Sequence, residues 1–265
     1  MHKAILDQLE SLKHILSMFD LSVIQKVRFK RWLTQIGDLT DGRWTYPANP
    51  TDLYSLYRHC RLSNSLSILE IGSGWSTTVL AKALFENREF HLKQNFEPTF
   101  HPNPYVLFTL DCSRKYLSLA KRRQSVFAPA SVHYVKTKAI QTIFNGMICS
   151  TFTKFPVGTY DFIYLDGPAP EQVRSTNWFN TNQKSLLPMS ADLLQREHFL
   201  WPGTIIIVDG RGPNAEFYAH NFKRNWRYKF NSEVDQHIFY LDEKPWGQKS
   251  QILLKLRRRW LQENF

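Results

Sequence analysis

"SILEIGSGWSTTVLAKAL", residues 67–84, decides the reading of the fold. Its first residues are apolar on both faces, as in a strand buried inside a sheet. Small residues follow, and a helical pattern begins near Trp75. Gly72 and Gly74 permit a tight turn and close backbone approach, while Ser76 is placed to cap the helix and leave amide donors facing a ligand. The turn therefore reads as a nucleotide-type cradle. A dinucleotide fingerprint would put a third glycine at position 77, but Thr77 stands there, which disfavours a nicotinamide oxidoreductase.

Working outward, the pattern alternates. Strands are expected at "YVLFTLD" (105–111), "SVHYV" (131–135), "YDFIYLD" (160–166) and "TIIIVDG" (204–210), with helix-compatible segments between them. Strands apolar on both faces and separated by helices imply a doubly wound, mostly parallel α/β sheet. "WRYKFN" and "QHIFYLD" near the end read as a closing antiparallel pair. Residues 86–104, rich in polar groups but carrying Phe90, Phe96 and Phe100, read as a long insertion and as a lid or acceptor wall beside the ligand crevice. Residues 1–64 are expected to form a helical extension, 65–243 the ligand-binding domain, and 244–265 a basic tail.

The 265 residues suffice for one sizeable core. No apolar run is long enough for a spanning helix, and the charged start "MHKAILDQLESLKHIL" lacks the apolar block of a signal peptide, so a cytoplasmic protein is expected. Three widely spaced cysteines, Cys60, Cys112 and Cys149, fit neither a disulfide framework nor a zinc motif. The net charge of +11 suits an anionic partner or a merely solvated basic face, and does not choose between them. Ile5, Leu9, Leu12, Leu16 and Phe19 form an apolar helical face that either packs on this chain's own core or joins a second copy as a homo-oligomer.

In an open parallel sheet the ligand lies beyond the carboxyl ends of the strands, where strand order reverses. The residues falling there are Glu70 to Ser76, Asp111, Asp166, and Asp209 with Arg211. Asp111 at a strand tip is placed to accept two ribose hydroxyls, or to cap the helix beginning near Ser113. Asp161, at the opposite end of its strand, reads as structural.

The ordered set "EIGSG", "LDCS", "YDFIYLDGP" and "GTIIIVDG" resembles the class I S-adenosylmethionine-dependent methyltransferases, a Rossmann-like family, across about residues 65–243. The resemblance implies a transferase that uses S-adenosylmethionine. It places the backbone of Gly72, Ser73 and Gly74 against the methionine part, Asp111 on the ribose, Asp166 near the amino group and the acceptor, and Glu70 beside the turn. The acid that the family uses at the adenine is not evident in "VKTKAIQ".

Methyl transfer is an in-line displacement, so the protein must align the groups and manage the acceptor's proton. Asp166 and Asp209 are the expected general bases, or a pair of hard ligands for a divalent cation such as magnesium, as in catechol-type relatives. Gly210 stands where those relatives carry Asn. Arg211 is placed to clamp an anionic group on the acceptor. The expected reaction is O-methylation of a small-molecule or glycan-type hydroxyl. The alternative is a non-catalytic or RNA-directed binding protein using the basic surface; the base-methylating Pro-Pro-aromatic motif is missing after Asp166, so nucleic acid is not favoured. The tail "KSQILLKLRRRWLQENF" suits docking, RNA or anionic lipid. His91, His101 and His237 are read as packing or surface histidines.

Overall fold

A computed structural model describes residue 17 and residues 49–127, 130–174 and 189–265. The apolar helix face expected within residues 3–19 lies outside the described residues apart from Ser17.

The chain runs α1 (Pro50–Leu62), β1 (Ser67–Ile71), α2 (Trp75–Lys93), β2 (Val106–Asp111), α3 (Arg114–Phe127), β3 (Ser131–Lys136), β4 (Ala139–Phe144), β5 (Met147–Phe152), β6 (Phe162–Leu165), β7 (Val173–Arg174), α4 (Asp192–Arg196), β8 (Ile205–Asp209), α5 (Gly212–Asn221), β9 (Trp226–Asn231), β10 (Gln236–Leu241) and α6 (Gln248–Asn264). Seven strands form one sheet in the order β3-β2-β1-β6-β8-β10-β9. The first five are parallel, and β10 runs antiparallel between β8 and β9. This is the doubly wound, Rossmann-like sheet with a closing antiparallel pair that the sequence pattern implies. Strand order reverses between β1 and β6, which makes their carboxyl ends the topological switch point.

The sheet is covered on both faces because its central strands are apolar on both. One core joins Ile68, Leu107, Phe162 and Ile207 to Leu53, Leu56 and Cys60 of α1, Val79 and Leu80 of α2, and Trp260 of α6. The other joins Leu69, Ile163, Ile206 and Val208 to Leu193 of α4, Ala215 and Tyr218 of α5, and the small sheet. Helices α1 and α6 thus belong to the same core as the sheet.

The basic tail docks. Arg257 and Trp260 of α6 are fully buried. Arg257 meets the Asp161 carboxylate at 3.2 Å and donates to the carbonyls of Ser63, Gly203 and Asp161. Asp161 also accepts from the Leu66 and Ser67 amides, so it ties α6 to the start of β1. Its structural role agrees with its place at the amino end of β6.

Two features depart from expectation. Strands β4 and β5 form an antiparallel hairpin, with β7 parallel beside β4. The turn residues Asn145 and Gly146 both have positive φ, 47° and 77°, as a two-residue primed turn requires. The second departure is the supposed insertion. Helix α2 continues to Lys93, so residues 86–93 are its last two turns, held by Asn87 and His91 on its buried face. The connection that remains, 94–105, joins the end of α2 to the start of β2. It therefore lies at the amino edge of the sheet, with Tyr105 bonded to Leu66 and His101 packed on Trp201. A helix that starts at a strand's carboxyl end must finish at the other edge, so this segment is neither lid nor acceptor wall.

Candidate functional site

A cleft of about 890 Å³ opens at the switch point. Its floor is the turn 72–76; its walls come from α1 (Asn49, Asp52, Leu53), the side of α3 (Tyr116, Leu119, Arg123), the segment 166–172, and the end of β8 with Arg211. Of the residues that the sequence singles out, the cleft gathers Gly72, Ser73, Gly74, Ser76, Asp111, Asp166, Asp209 and Arg211.

Glu70 is placed elsewhere. It is fully buried beneath the turn, and its two carboxyl oxygens accept the hydroxyls of Ser76 (2.6 Å) and Thr77 (2.7 Å). Loss of hydration pushes its carboxyl up to about 7, against the lowering effect of those hydroxyls. It braces the first turn of α2 and does not face a ligand. Ser76 is not the helix cap either, since its hydroxyl points down to Glu70. The cap is Gly74, whose amide donates to the Thr77 hydroxyl at 3.1 Å.

The amides of the turn itself are paired within the protein. The Gly72 amide donates to the Leu110 carbonyl (2.9 Å), the Ser73 amide to Asp111 Oδ2 (2.9 Å), and the Gly74 amide to Thr77. A diphosphate needs such donors; a ligand that meets the turn through its glycine Cα atoms and carbonyls does not. Gly72, at φ 97°, is needed for a different reason: a Cβ there would lie 2.7 Å from the Asp166 carbonyl oxygen. The ends of β1 and β6 are in backbone contact.

Asp111 is buried and already engaged. Oδ2 accepts from the Ser73 amide and hydroxyl, and Oδ1 from the Ser113 amide at 2.6 Å. A carboxylate has about four acceptor positions, so one is open, and rotation of the Ser73 hydroxyl frees a second. Both uses considered for Asp111 are thus compatible.

At the other end of the cleft stand three carboxyl groups. Asp166 is open to the cleft's water yet walled by protein. Reduced hydration and the facing Asp209 push it up to about 8, with Arg211 opposing. Asp209 accepts from the Tyr164 hydroxyl (2.8 Å, Oδ2) and from Gln236 Nε2 (3.1 Å, Oδ1); burial raises its carboxyl and these bonds lower it. Asp52 of α1 is pushed up to about 7 by burial and by Asp209, with a hydrogen bond from the Asn49 side chain opposing, and its Oδ1 is buried away from the cleft with no donor. Arg211 donates from Nη2 to the Pro168 carbonyl at 2.9 Å, while its buried Nε has no acceptor.

Asp166 and Asp209, the pair read as ligands for a divalent cation, are partly engaged by protein groups. Among the described residues no three His, Cys, Asp or Glu side chains are grouped to hold a metal. Asp209 already orients both oxygens toward protein donors, and a guanidinium stands by Asp166. The histidines also stay out of the cleft. His91 pairs with the Tyr105 hydroxyl, and His237 with that of Tyr228.

Sequence reasoning misses Asp52, Tyr164, Gln236, Tyr116, Leu119 and Arg123. Gln236 begins β10 directly opposite Asp209, because an antiparallel strand starts at the edge where its parallel neighbour ends. No local signal marks such a residue. Tyr116, Leu119 and Arg123 follow Asp111 at helical spacing, and that spacing is a usable signal.

No protein-family model matches the chain, and no curated protein matches it in sequence. Among solved structures it is similar to an O-methyltransferase from Bacillus cereus in complex with S-adenosylhomocysteine, at 14% identity over 88% of this chain and 91% of that one, TM-score 0.35. It is also similar to an S-adenosylhomocysteine-bound methyltransferase of Podospora anserina, at 11% identity over 84% and 97%, TM-score 0.43. A third is human methyltransferase-like protein 13, again with S-adenosylhomocysteine, at 13% identity over 78% and 89%, TM-score 0.35.

Proposed function

We propose that the protein is an S-adenosylmethionine-dependent methyltransferase whose cleft takes the nucleoside over Asp111 and the sulfonium end toward Asp166. One observation carries this reading: the switch-point cleft is ringed by Asp52, Asp111, Asp166 and Asp209, while the amides of residues 72–74 are all internally paired. The acids outnumber Arg123 and Arg211 in the lining, so such a site suits a ligand bearing sulfonium and ammonium charges better than a diphosphate. Within it, Trp75, Tyr116 and Leu119 supply an apolar wall next to Asp111 for a flat base, and Asp111 accepts the ribose hydroxyls once Ser73 turns.

The bound molecule supplies a methyl group activated by positive sulfur. The chain's own residues align an acceptor with it, exclude water and receive the acceptor's proton. The acceptor is a small molecule or glycan-type group with a nucleophilic oxygen or nitrogen, and Arg211 is available to an anionic part of it.

Calorimetric titration tests the reading. S-adenosylmethionine and S-adenosylhomocysteine should each bind saturably at one site per chain, and the Asp111→Ala variant should bind more weakly by about 1–3 kcal/mol. NADH should not bind. A folded protein that takes up NADH and neither sulfur compound would overturn it.

A further inference from the structure

The cleft wall at the end of β8 carries a cation that the protein leaves unmatched. Arginines packed elsewhere in the fold meet carboxylates: Arg257 pairs with Asp161, Arg224 with Glu243 and Arg196 with Asp192. Arg211 is half-buried in the cleft lining and, among the described residues, forms no ion pair. Burial works against its charge, and Asp166 supports that charge only from beyond ion-pair contact. A partly buried charge of this kind is costly unless something pairs with it.

Its guanidinium makes one hydrogen bond to the protein, from Nη2 to the Pro168 carbonyl at 2.9 Å. A guanidinium has five N–H donors in a planar fork. Nε is buried, so the donors left for a ligand are the remaining N–H groups on Nη1 and Nη2. The side chain is held at both ends. The Arg211 carbonyl accepts the Asn214 and Ala215 amides in the first turn of α5, at 2.9 and 3.0 Å, while the head rests on Pro168, two residues beyond Asp166. A fork fixed in this way is pre-organised for a planar anion.

The sheet order indicates which anion. The strands run β1, β6, β8, so Asp166 stands between the turn assigned to the methionine part and the strand end that precedes Arg211. Two strand spacings of about 4.8 Å separate the ends of β1 and β8. An anion on the acceptor, which lies beyond the methyl group, reaches Arg211 more directly than the carboxylate of the cofactor does.

We propose that Arg211 determines the specificity of the acceptor site, and that the acceptor is a carboxylic acid bearing a hydroxyl or amine, with its carboxylate held by the Arg211 fork. The proposal rests on the methyltransferase reading above and narrows its acceptor to one charge class. A carboxylate fits better than a phosphate dianion, because Asp166 and Asp209 on the same wall repel a second negative charge and the planar fork matches a planar anion.

The test uses glycolate and para-hydroxybenzoate, each beside its neutral amide, with dissociation constants read by ligand-observed NMR at neutral pH on the protein saturated with S-adenosylhomocysteine. At least one acid should bind the wild type tenfold or more tightly than its amide. Arg211→Gln should reduce that preference to less than about twofold, while Arg258→Gln, on the exposed face of α6, should leave it unchanged. Arg211→Lys keeps the charge and loses the fork, and should cut the preference at least threefold; it carries the comparison if Arg211→Gln fails to fold. Wild-type protein that prefers neither acid, or a folded Arg211 variant with the full preference, overturns the proposal. The affinity of Arg211→Gln for S-adenosylhomocysteine should stay within about threefold of wild type. A tenfold loss there assigns Arg211 to the carboxylate of the cofactor and also overturns the proposal, while the methyltransferase reading stands. No binding of S-adenosylhomocysteine to the wild type overturns that reading and, with it, the proposal.

Discussion

Gly72 and Gly74 look interchangeable in the sequence, but the structure gives them different work, and alanine at each should separate it. At Gly72 two penalties add. Its φ of 97° is a region that side chains rarely adopt, costing about 1–2 kcal/mol. The new Cβ would also stand 2.7 Å from the Asp166 carbonyl oxygen and 2.8 Å from its carbon, both backbone atoms just past the paired ends of β1 and β6, and such overpacking costs about 1–3 kcal/mol. The expected loss for Gly72→Ala is therefore about 2–5 kcal/mol, a large share of the roughly 5–15 kcal/mol that holds a typical domain together. At Gly74 neither penalty applies, because its φ of −171° is extended and the nearest outside atom to an added Cβ is Ser76 Oγ at 3.7 Å. Gly74→Ala should stay within about 1 kcal/mol of wild type in stability, yet lose affinity for S-adenosylmethionine because its methyl enters the cleft floor. Urea unfolding gives the first pair of numbers and calorimetry the second. A Gly72→Ala protein as stable as the wild type would refute the close approach of β1 and β6.

Arg257→Ala should destabilise the protein by about 3–5 kcal/mol in thermal or urea unfolding, because it leaves the fully buried Asp161 without its cation, whereas a nucleic-acid arm would tolerate the change. Shortening the connection within residues 96–103 should alter stability but leave the affinity for S-adenosylhomocysteine at the wild-type value, as expected of a segment at the amino edge of the sheet; a large loss of affinity would return it to the cleft. Glu70 gives a pH signature: its folded-state value of about 7 exceeds the ordinary 4.5, so between these values the folded protein keeps a proton that the unfolded chain has lost. Its contribution to stability is full below about 4.5 and is lost as pH rises through 7; Glu70→Gln should flatten that part of the stability–pH curve, and an unchanged slope would count against the assignment.

What the sequence makes legible is what the backbone imposes locally. The alternation of apolar strands with helices implies the doubly wound sheet, and Asp111, Asp166 and Asp209 stand out because each ends a strand or directly follows one. The Asn145–Gly146 turn is equally local, since such a pair between apolar runs is a strong hairpin signal. The end of α2 is obscured because Glu86, Arg88 and Glu89 read as loop, while Asn87 and His91, four residues apart, are what hold that end against the protein. Thr77 reads in the sequence only as a missing glycine. In the structure it links the Gly74 amide to Glu70 and so fixes the turn. The Ser55–Gln236–Asp209 chain of hydrogen bonds joins residues up to 181 positions apart, and only the packing of α1 on β10 brings them together. No periodicity or spacing encodes that.

Electrostatics connect the buried geometry to the proposed reaction. Asp52 is pushed up to about 7 by burial and Asp209 is raised by burial, each with another carboxyl nearby, and Asp166, open to the cleft's water, is raised by its carboxyl neighbours against the pull of Arg211. Near neutral pH the ligand-free cleft thus holds protons that it would shed on meeting a positive ligand, so a sulfonium compound should bind more tightly as pH rises toward 8. Transfer of the methyl group leaves a neutral thioether, and the attraction to these carboxylates disappears with the charge. The carboxylates then favour the methyl donor over its product, and proton uptake by the emptied cluster accompanies product release. A cleft of this kind loses stability when empty and ionised, which is the cost of lining it with Asp52, Asp166 and Asp209.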